Sequence, residues 1–234
     1  MADQQPLGAP LPDWTPPPAP PRTPISGRYA RVEPFDPGLH VEDLYAANSA
    51  SDAIWTYMPQ GPFASFAEYR DWMTANCTGD DPLFHTIIDL ADGKAKGVAS
   101  YLRIAPAAGS IEVGYITYSP SLQRTRAGTE AMFLMMKRAF ELGYRRYEWK
   151  CNALNAPSRS LAMRLGLSYE GVFRQMQVVK GRNRDTAWYA AIDEEWPALR
   201  TAFETWLDPA NFDADGRQKK SLSALTKPIL VAAG

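Results

Sequence analysis

The chain has 234 residues, 45% hydrophobic and 22% charged, with a formal net charge of -1, the composition of an ordinary globular protein rather than a disordered or fibrous one. So even a charge balance supplies no global field for nucleic acid or anionic membrane, and no run reaches the roughly 18 apolar residues of a membrane-spanning helix. Two cysteines, Cys77 and Cys151, and two histidines, His40 and His85, exclude a disulfide framework and lack metal-ligand spacing, so no metal is expected and a reducing, cytoplasmic setting is.

Residues 1–27 read as a Pro-rich arm. Pro6, Pro10, Pro12, Pro16, Pro17, Pro18, Pro20, Pro21 and Pro24 are nine of the twenty prolines, which rules out regular helix or sheet there and predicts an extended or disordered tether, or an arm packed on the surface. No apolar core of a secretory signal precedes or follows them.

Residues 28–208 form the expected domain. Tyr29 to Phe35 reads as a strand. Val41, Leu44 and Tyr45 recur at helical spacing, as do Phe66, Tyr69, Trp72 and Met73 within Ser65 to Cys77. Phe84 to Asp89 and Gly97 to Ile104 read as two strands joined by a hairpin at Asp92-Gly93. Ile111 to Tyr118 is the next strand. Met132, Met135, Met136, Ala139 and Phe140 then mark one face of a long helix that Gly143 ends. Arg146 to Cys151 reads as a strand and Ala156 to Leu165 as a short helix closed by Gly166. Tyr169 to Val179 and Asp185 to Ile192 read as strands around a polar turn, Lys180 to Arg184, and Trp196 to Trp206 as a last helix. The order β-α-α-β-β-β-α-β-α-β-β predicts an α/β fold with a mixed sheet. Residues 209–234 lack periodicity and are expected to be a loose tail, with Pro228-Ile229-Leu230-Val231 as an apolar run able to dock.

The unit that carries chemistry is the strand Ile111 to Tyr118, the turn that follows, and the long helix. Gln123-Arg124-Thr125-Arg126-Ala127-Gly128-Thr129-Glu130 spans the junction. A helix start leaves its first N–H groups unpaired and carries the positive end of the helix dipole, a natural seat for a pyrophosphate. Gly128 has no Cβ and would let phosphate oxygens approach the backbone, Thr129 would add a hydroxyl, and Arg124 and Arg126 add charge. An ordinary capped helix with two solvated arginines is the plain alternative.

The same stretch resembles motif A of the GNAT acetyltransferases, Gln/Arg-x-x-Gly-x-Gly/Ala, here Gln123-x-x-Arg126-x-Gly128, with Arg126 in place of the middle glycine. Glu112-Val113-Gly114-Tyr115 resembles the strand before motif A. Asn152 to Ser160 resembles the Asn-x-x-Ser segment of motif B, and Leu165-Gly166-Leu167 with Glu170-Gly171 resembles the signature after it. Thr129-Glu130-Ala131 and Trp55-Thr56-Tyr57-Met58-Pro59 resemble the branch that includes the ribosomal-protein N-terminal acetyltransferases.

The resemblance implies a mixed, mostly antiparallel central sheet flanked by helices, with splayed strands holding the cofactor. It implies acetyl-CoA as co-substrate, no metal, and direct transfer to an amine, either a protein N-terminus or a small molecule. The cofactor residues it points to are Ile116, Thr117, Tyr118, Gln123, Arg124, Thr125, Arg126, Ala127, Gly128, Thr129, Asn155 and Ser158. The amides of Ile116, Thr117 and Tyr118 would meet pantetheine and the oxyanion, and a charge-assisted bond from Arg126 to a CoA phosphate is expected.

Glu112 is the candidate general base and Ser158 the candidate donor to the leaving thiolate; the tyrosine many members carry for that task would fall at Ala162. Trp55, Tyr57, Glu112 and Trp149 are the candidate acceptor-binding residues. Arg182 and Arg184, on the late turn, read as solvated charge, with an acidic acceptor or CoA as the lesser role. A second copy of the chain is a candidate partner. Nucleic acid and membrane are not expected partners. The rival reading is a catalytically silent CoA-binding interaction or sensor module.

Overall fold

A computed structural model describes residues 5–234. Eight strands form one sheet: β1 (Ile25–Ser26), β2 (Ala30–Pro34), β3 (Leu83–Asp89), β4 (Lys94–Ala105), β5 (Ser110–Tyr118), β6 (Arg146–Asn152), β7 (Ser168–Val179) and β8 (Arg182–Ile192), in the order β1-β2-β3-β4-β5-β6-β8-β7. Every neighbouring pair is antiparallel except β5 with β6. The mixed, mostly antiparallel architecture is therefore the one expected. No helix among the described residues is long and apolar enough to cross a membrane.

Among the described residues, six α-helices flank the sheet: α1 (Pro37–Asn48), α2 (Phe66–Asn76), α3 (Arg126–Glu141), α4 (Ala156–Arg164), α5 (Trp196–Leu207) and α6 (Leu222–Thr226). Polar side chains cap all of them except α5. The Asp36 carboxylate accepts the Gly38 amide, Ser65 Oγ the Glu68 amide, Thr125 Oγ1 the Gly128 amide and Asn155 Oδ1 the Ser158 amide, each meeting an amide the helix itself cannot pair. The methionine face of α3 packs with Ile111, Val113, Tyr147 and Trp149 in the larger core. Helices α1 and α2 build a second core on the opposite side, around Leu44, Trp55, Tyr69 and Met73.

Three segments differ from the sequence reading. The last residues of the arm, Ile25–Ser26, pair with β2; so short a strand has no periodicity to read, and only its partner defines it. The late turn shrinks to Lys180-Gly181, because Arg182, Asn183 and Arg184 pair with Val179, Val178 and Gln177. The tail is not loose: Leu222 and Thr226 are buried, Thr226 Oγ1 bonds to the Arg164 carbonyl, and the Val231 amide donates to Ser168 Oγ while the Tyr169 amide donates to the Ala232 carbonyl. A five-residue helix has no independent stability, so tertiary packing alone forms it.

The arm packs on the domain. Pro17 and Pro20 are buried, Arg138 donates to the carbonyls of Thr23 and Pro24, and Tyr144 Oη to that of Pro18. Residues 1–4 of the arm lie outside the described residues. Where the arm meets β2, the buried Glu130 carboxylate accepts the amides of Arg28, Tyr29 and Ala30 at 2.9, 2.6 and 2.8 Å, tying the chain entry to the first turns of α3.

The feature that positions the site is a gap in the sheet. Strands β5 and β6 pair from Ser110↔Arg146 to Val113↔Trp149 and then separate, although β5 continues to Tyr118 and β6 to Asn152. A bulge explains the parting: β5 uses three steps from Gly114 to Thr117 where β4 uses two from Ser100 to Val98, and Tyr115 takes a φ of 48°. One extra residue bends a strand away from its neighbour. A second bulge lies on β4 between Leu102 and Ala105, where Arg103 has a φ of 46°. The Asp81 carboxylate holds it by accepting the amides of Arg103 and Ile104 at 2.9 and 3.0 Å.

Candidate active site

The turn from β5 into α3 is built by its own hydrogen bonds. The Gln123 amide donates to the Ser119 carbonyl, Gln123 Nε2 to the Tyr118 carbonyl, and Arg124 adopts a left-handed φ of 61°. Thr125 caps α3. Among the described residues the backbone amides of Arg124, Arg126 and Ala127 donate to no protein acceptor. These three free donors lie at the positive end of α3, which makes an anion cradle. A groove of about 360 Å³ opens beside it, lined by Arg28, Tyr29, Asp89, Leu90 and Ala91 together with Thr125, Arg126 and Ala127.

Several expectations for this turn change. The Arg126 guanidinium does not face the cradle: it stacks 4.4 Å from the Phe212 ring centroid and 5.1 Å from that of Tyr29, a cation–π site that turns the side chain back toward the tail. Its backbone amide stays available. The Thr129 amide and hydroxyl both donate to the Thr125 carbonyl, and the hydroxyl accepts from Arg164 Nη1, so Thr129 staples α3 to α4 instead of facing phosphate. Gly128 gives its amide to Thr125, and a Cβ there would stand 2.8 Å from the Leu122 carbonyl and 2.9 Å from the Tyr118 ring. Its missing side chain serves the packing of turn on helix rather than an approach by phosphate.

On the α3 side of the gap, Ser158 begins α4 beside β6. Trp149 Nε1 donates to Ser158 Oγ at 3.0 Å, which leaves the hydroxyl proton free for another acceptor. Trp149 is buried in the larger core and so orients Ser158; it does not line an acceptor site. Asn155 Oδ1 caps α4 and its Nδ2 has no partner among the described residues. Burial raises the Cys151 thiol, though Ser158 opposes it, so the thiol stays protonated and a poor nucleophile.

Along β5 the roles divide by alternation. The Ser119 amide donates to the Lys96 carbonyl at 3.1 Å and Thr117 stands opposite Val98. The Thr117 amide therefore belongs to the β4 ladder, and the Tyr118 amide points to the open side. This removes Thr117 as an amide donor to a cofactor. Ile116 lies in the bulge, on the stretch of β5 that has lost β6.

The opposite face of the gap holds a chain of alternating charges drawn from four strands, β4, β5, β6 and β7. Arg146 pairs with Glu170 at 2.7 Å and with Glu148 at 2.7 Å. Lys150 bridges Glu148 at 2.7 Å and Glu112 at 2.8 Å. The bulged Arg103 grips Glu112 with Nε at 2.7 Å and Nη2 at 2.5 Å. Burial works against the Glu148 charge, but the bonds from Arg146 and Lys150 outweigh it and hold its carboxyl below the usual range. Glu112 is 2% exposed and each of its oxygens carries a cation. That arrangement suits a carboxylate that fixes its neighbours better than one poised to take a proton.

Two bonds bridge the mouth of this face: Tyr57 Oη donates to the Leu154 carbonyl at 3.1 Å, and Lys180 Nζ to the Trp55 carbonyl at 3.0 Å. Tyr57 thus stands at the rim. The Trp55 indole does not, because it packs edge-on against Phe63 and Tyr69 in the smaller core. Arg182 is exposed, whereas Arg184 is half-buried on β8 with Nε unpaired, so the solvated reading holds for the first and fails for the second. Sequence reasoning missed Arg103, Glu148 and Trp188. The alternation Tyr147, Glu148, Trp149, Lys150, Cys151 could have put Glu148 and Lys150 on one polar face; no local signal marks Arg103, which a bulge redirects. Among the described residues no group of acidic, cysteine or histidine side chains is arranged to hold a metal.

The family model described as Acetyltransferase (GNAT) domain matches residues 31–168. Among solved structures, the chain is similar to a GCN5-related N-acetyltransferase from Brucella melitensis, at 47% identity and a TM-score of 0.91, over 93% of this chain and 100% of that one. It is also similar to a Chromobacterium violaceum protein described as a probable acetyltransferase of the GNAT family, at 36% identity and a TM-score of 0.78, over 85% of this chain and 100% of that one. A ribosomal L7/L12 α-N-protein acetyltransferase, at 21% identity and a TM-score of 0.60 over 71% of this chain and 91% of that one, shares the fold alone. A comparison with curated protein sequences gives no match.

Proposed function

The chain belongs to the GNAT acetyltransferase family, and on that premise we propose that it transfers an acetyl group from acetyl-CoA directly to a primary amine, by attack within a ternary complex. GNAT acetyltransferases use acetyl-CoA as co-substrate. The observation that carries the reading is the parting of β5 and β6 past Val113↔Trp149, with three unpaired amides at the start of α3 on one flank and Ser158 on the other.

The residues present fit acetyl-CoA. The amides of Arg124, Arg126 and Ala127 would receive the pyrophosphate, and the side chains of Gln123 and Thr125 hold the turn that aims them. The open edge of β5 at Ile116 and Tyr118 would pair with pantetheine as an added strand does, and the Tyr118 amide is the donor for the developing oxyanion. Ser158 Oγ, already accepting from Trp149, would give its proton to the departing sulfur. Asn155 Nδ2 is free to bond the pantetheine amides.

Glu112 enters this reading as the carboxylate that fixes Arg103 and Lys150 rather than as the base. With no unpaired carboxylate at the gap among the described residues, the best acceptor is an amine already largely neutral near pH 8. An α-amino group, with a pKa of about 7.7–8.0, meets that need and an alkyl amine near 10.4 does not. The acceptor is thus read as an α-amine, on a peptide or a small molecule. Buried, unpaired Cys77 and Cys151 fit a reducing, cytoplasmic setting. A second copy of the chain as partner is supported by the exposed apolar side chains Val172, Met176 and Val178 of the edge strand β7.

The test is release of free thiol from acetyl-CoA against paired α-amines and alkyl amines, with acetylated product identified by mass. Turnover favouring α-amines is expected. A rise in melting temperature with acetyl-CoA but no thiol release with any amine would instead identify a silent CoA-binding module.

A further inference from the structure

Arg184, Thr186 and Trp188 alternate along one face of β8, and each carries a buried polar atom without a partner: Arg184 Nε, Thr186 Oγ1 and Trp188 Nε1. Thr117 Oγ1, on the stretch of β5 across the gap, is a fourth. Thr186 and Thr117 are 4% and 2% exposed. Buried donors are nearly always paired, so four orphans around one opening point to a ligand that pairs them.

The charges around them identify its chemistry. Glu170, Glu148 and Glu112 balance Arg146, Lys150 and Arg103 through continuous ion pairs. Arg184 is the excess cation, with no carboxylate in ion-pair range among the described residues. It sits two residues beyond Thr186, whose partner Asn152 is the last residue of β6, so its guanidinium stands at the rim of the gap. Burial works against its charge, and it feels the fields of Glu112 and Arg103 from the strands across the opening. A half-buried guanidinium without a counter-charge is unfavourable until an anion arrives.

We infer that this row of β8 is the acceptor subsite, and that the acceptor carries a carboxylate close to its amine, received by Arg184 while Thr186 and Trp188 bond the neighbouring polar atoms. The inference rests on the acyl-transfer reading and narrows its substrate class. The carboxylate is an acidic side chain next to a peptide N-terminus; the α-amine of a free amino acid is raised by its own carboxylate and falls outside the near-neutral range that the acyl-transfer reading needs.

The experiment measures kcat/KM for a matched pair of peptides with Asp or Asn at the second position. The wild-type protein should prefer the Asp peptide by about tenfold to hundredfold, the range expected of a charge-assisted bond. Raising the salt concentration should shrink that ratio. Arg184→Gln should bring it close to one, and Trp188→Phe, which keeps the ring but loses the N–H, should lower KM discrimination less. A melting-temperature rise with acetyl-CoA checks that each variant is folded. No preference in the wild type, or an equal loss on both members of a pair in Arg184→Gln, overturns the inference while leaving acyl transfer intact. So does a loss of acetyl-CoA affinity in that variant, which would move the cation to the cofactor. No thiol release with any amine would overturn the acyl-transfer reading and this inference with it.

Discussion

The ammonium of Lys150 lies 3.7 Å from the centroid of the Trp188 ring while bridging Glu112 and Glu148. The lysine is 8% exposed at its side chain, so one buried cation neutralises two carboxylates and caps an aromatic face at the first residue past the last β5–β6 pair. It is the hinge of charge at the gap.

Lys150→Met should destabilise the fold by about 3–5 kcal/mol, because it leaves buried carboxylates short of a partner. Urea unfolding measures this. The double variant Lys150→Met with Glu112→Gln should recover part of the loss, and a double-mutant cycle reads the coupling.

Glu112→Gln separates positioning from proton transfer. If Glu112 only holds Arg103 and Lys150, the acidic limb of kcat/KM keeps its midpoint near that of the α-amine, about 7.7–8.0, at a lower plateau. Disappearance of that limb in the variant would restore Glu112 as base.

Ser158→Ala removes the hydroxyl that Trp149 orients. A fall in kcat of about a hundredfold is expected, with acetyl-CoA affinity by calorimetry nearly unchanged. Equal losses in binding and rate would reduce Ser158 to a helix-start contact.

Gly128→Ala should weaken acetyl-CoA binding by displacing the turn, since its new Cβ meets backbone at Leu122 and the Tyr118 ring at under 3 Å. Overpacking of this kind costs about 1–3 kcal/mol, and thermal unfolding with and without acetyl-CoA reads both effects.

His85 predicts an acid limit to stability. Burial first, then the nearby Arg138 charge, pushes its pKa down to about 4, below the ordinary value near 6.5. The unfolded chain therefore takes up a proton before the folded one does, and stability should fall as pH drops from about 6.5 toward 4. His85→Gln should flatten that slope in chemical unfolding curves collected across the window.

By itself, the sequence determined the order of elements from β2 to α5 and the turn from β5 into α3. These rest on local rules: alternation, helical spacing and the glycines past helix ends. What the sequence left open depends on long-range contacts. Whether Arg126 faces phosphate was decided by Tyr29 and Phe212, far away in the chain. Trp55 and Trp149 read alike as aromatic walls, and only packing sends one into the smaller core and the other onto Ser158. The folding of the tail required the groove that α4 and β7 offer it. Glu112 became the centre of an ion-pair chain because a bulge on β4 swings Arg103 onto it, and Arg184 became an orphan because no acidic residue among the described residues folds within its reach. Local sequence specifies which backbone forms; which charges and rings then meet is set by strand register and bulges, which add contributions from segments that no local window contains.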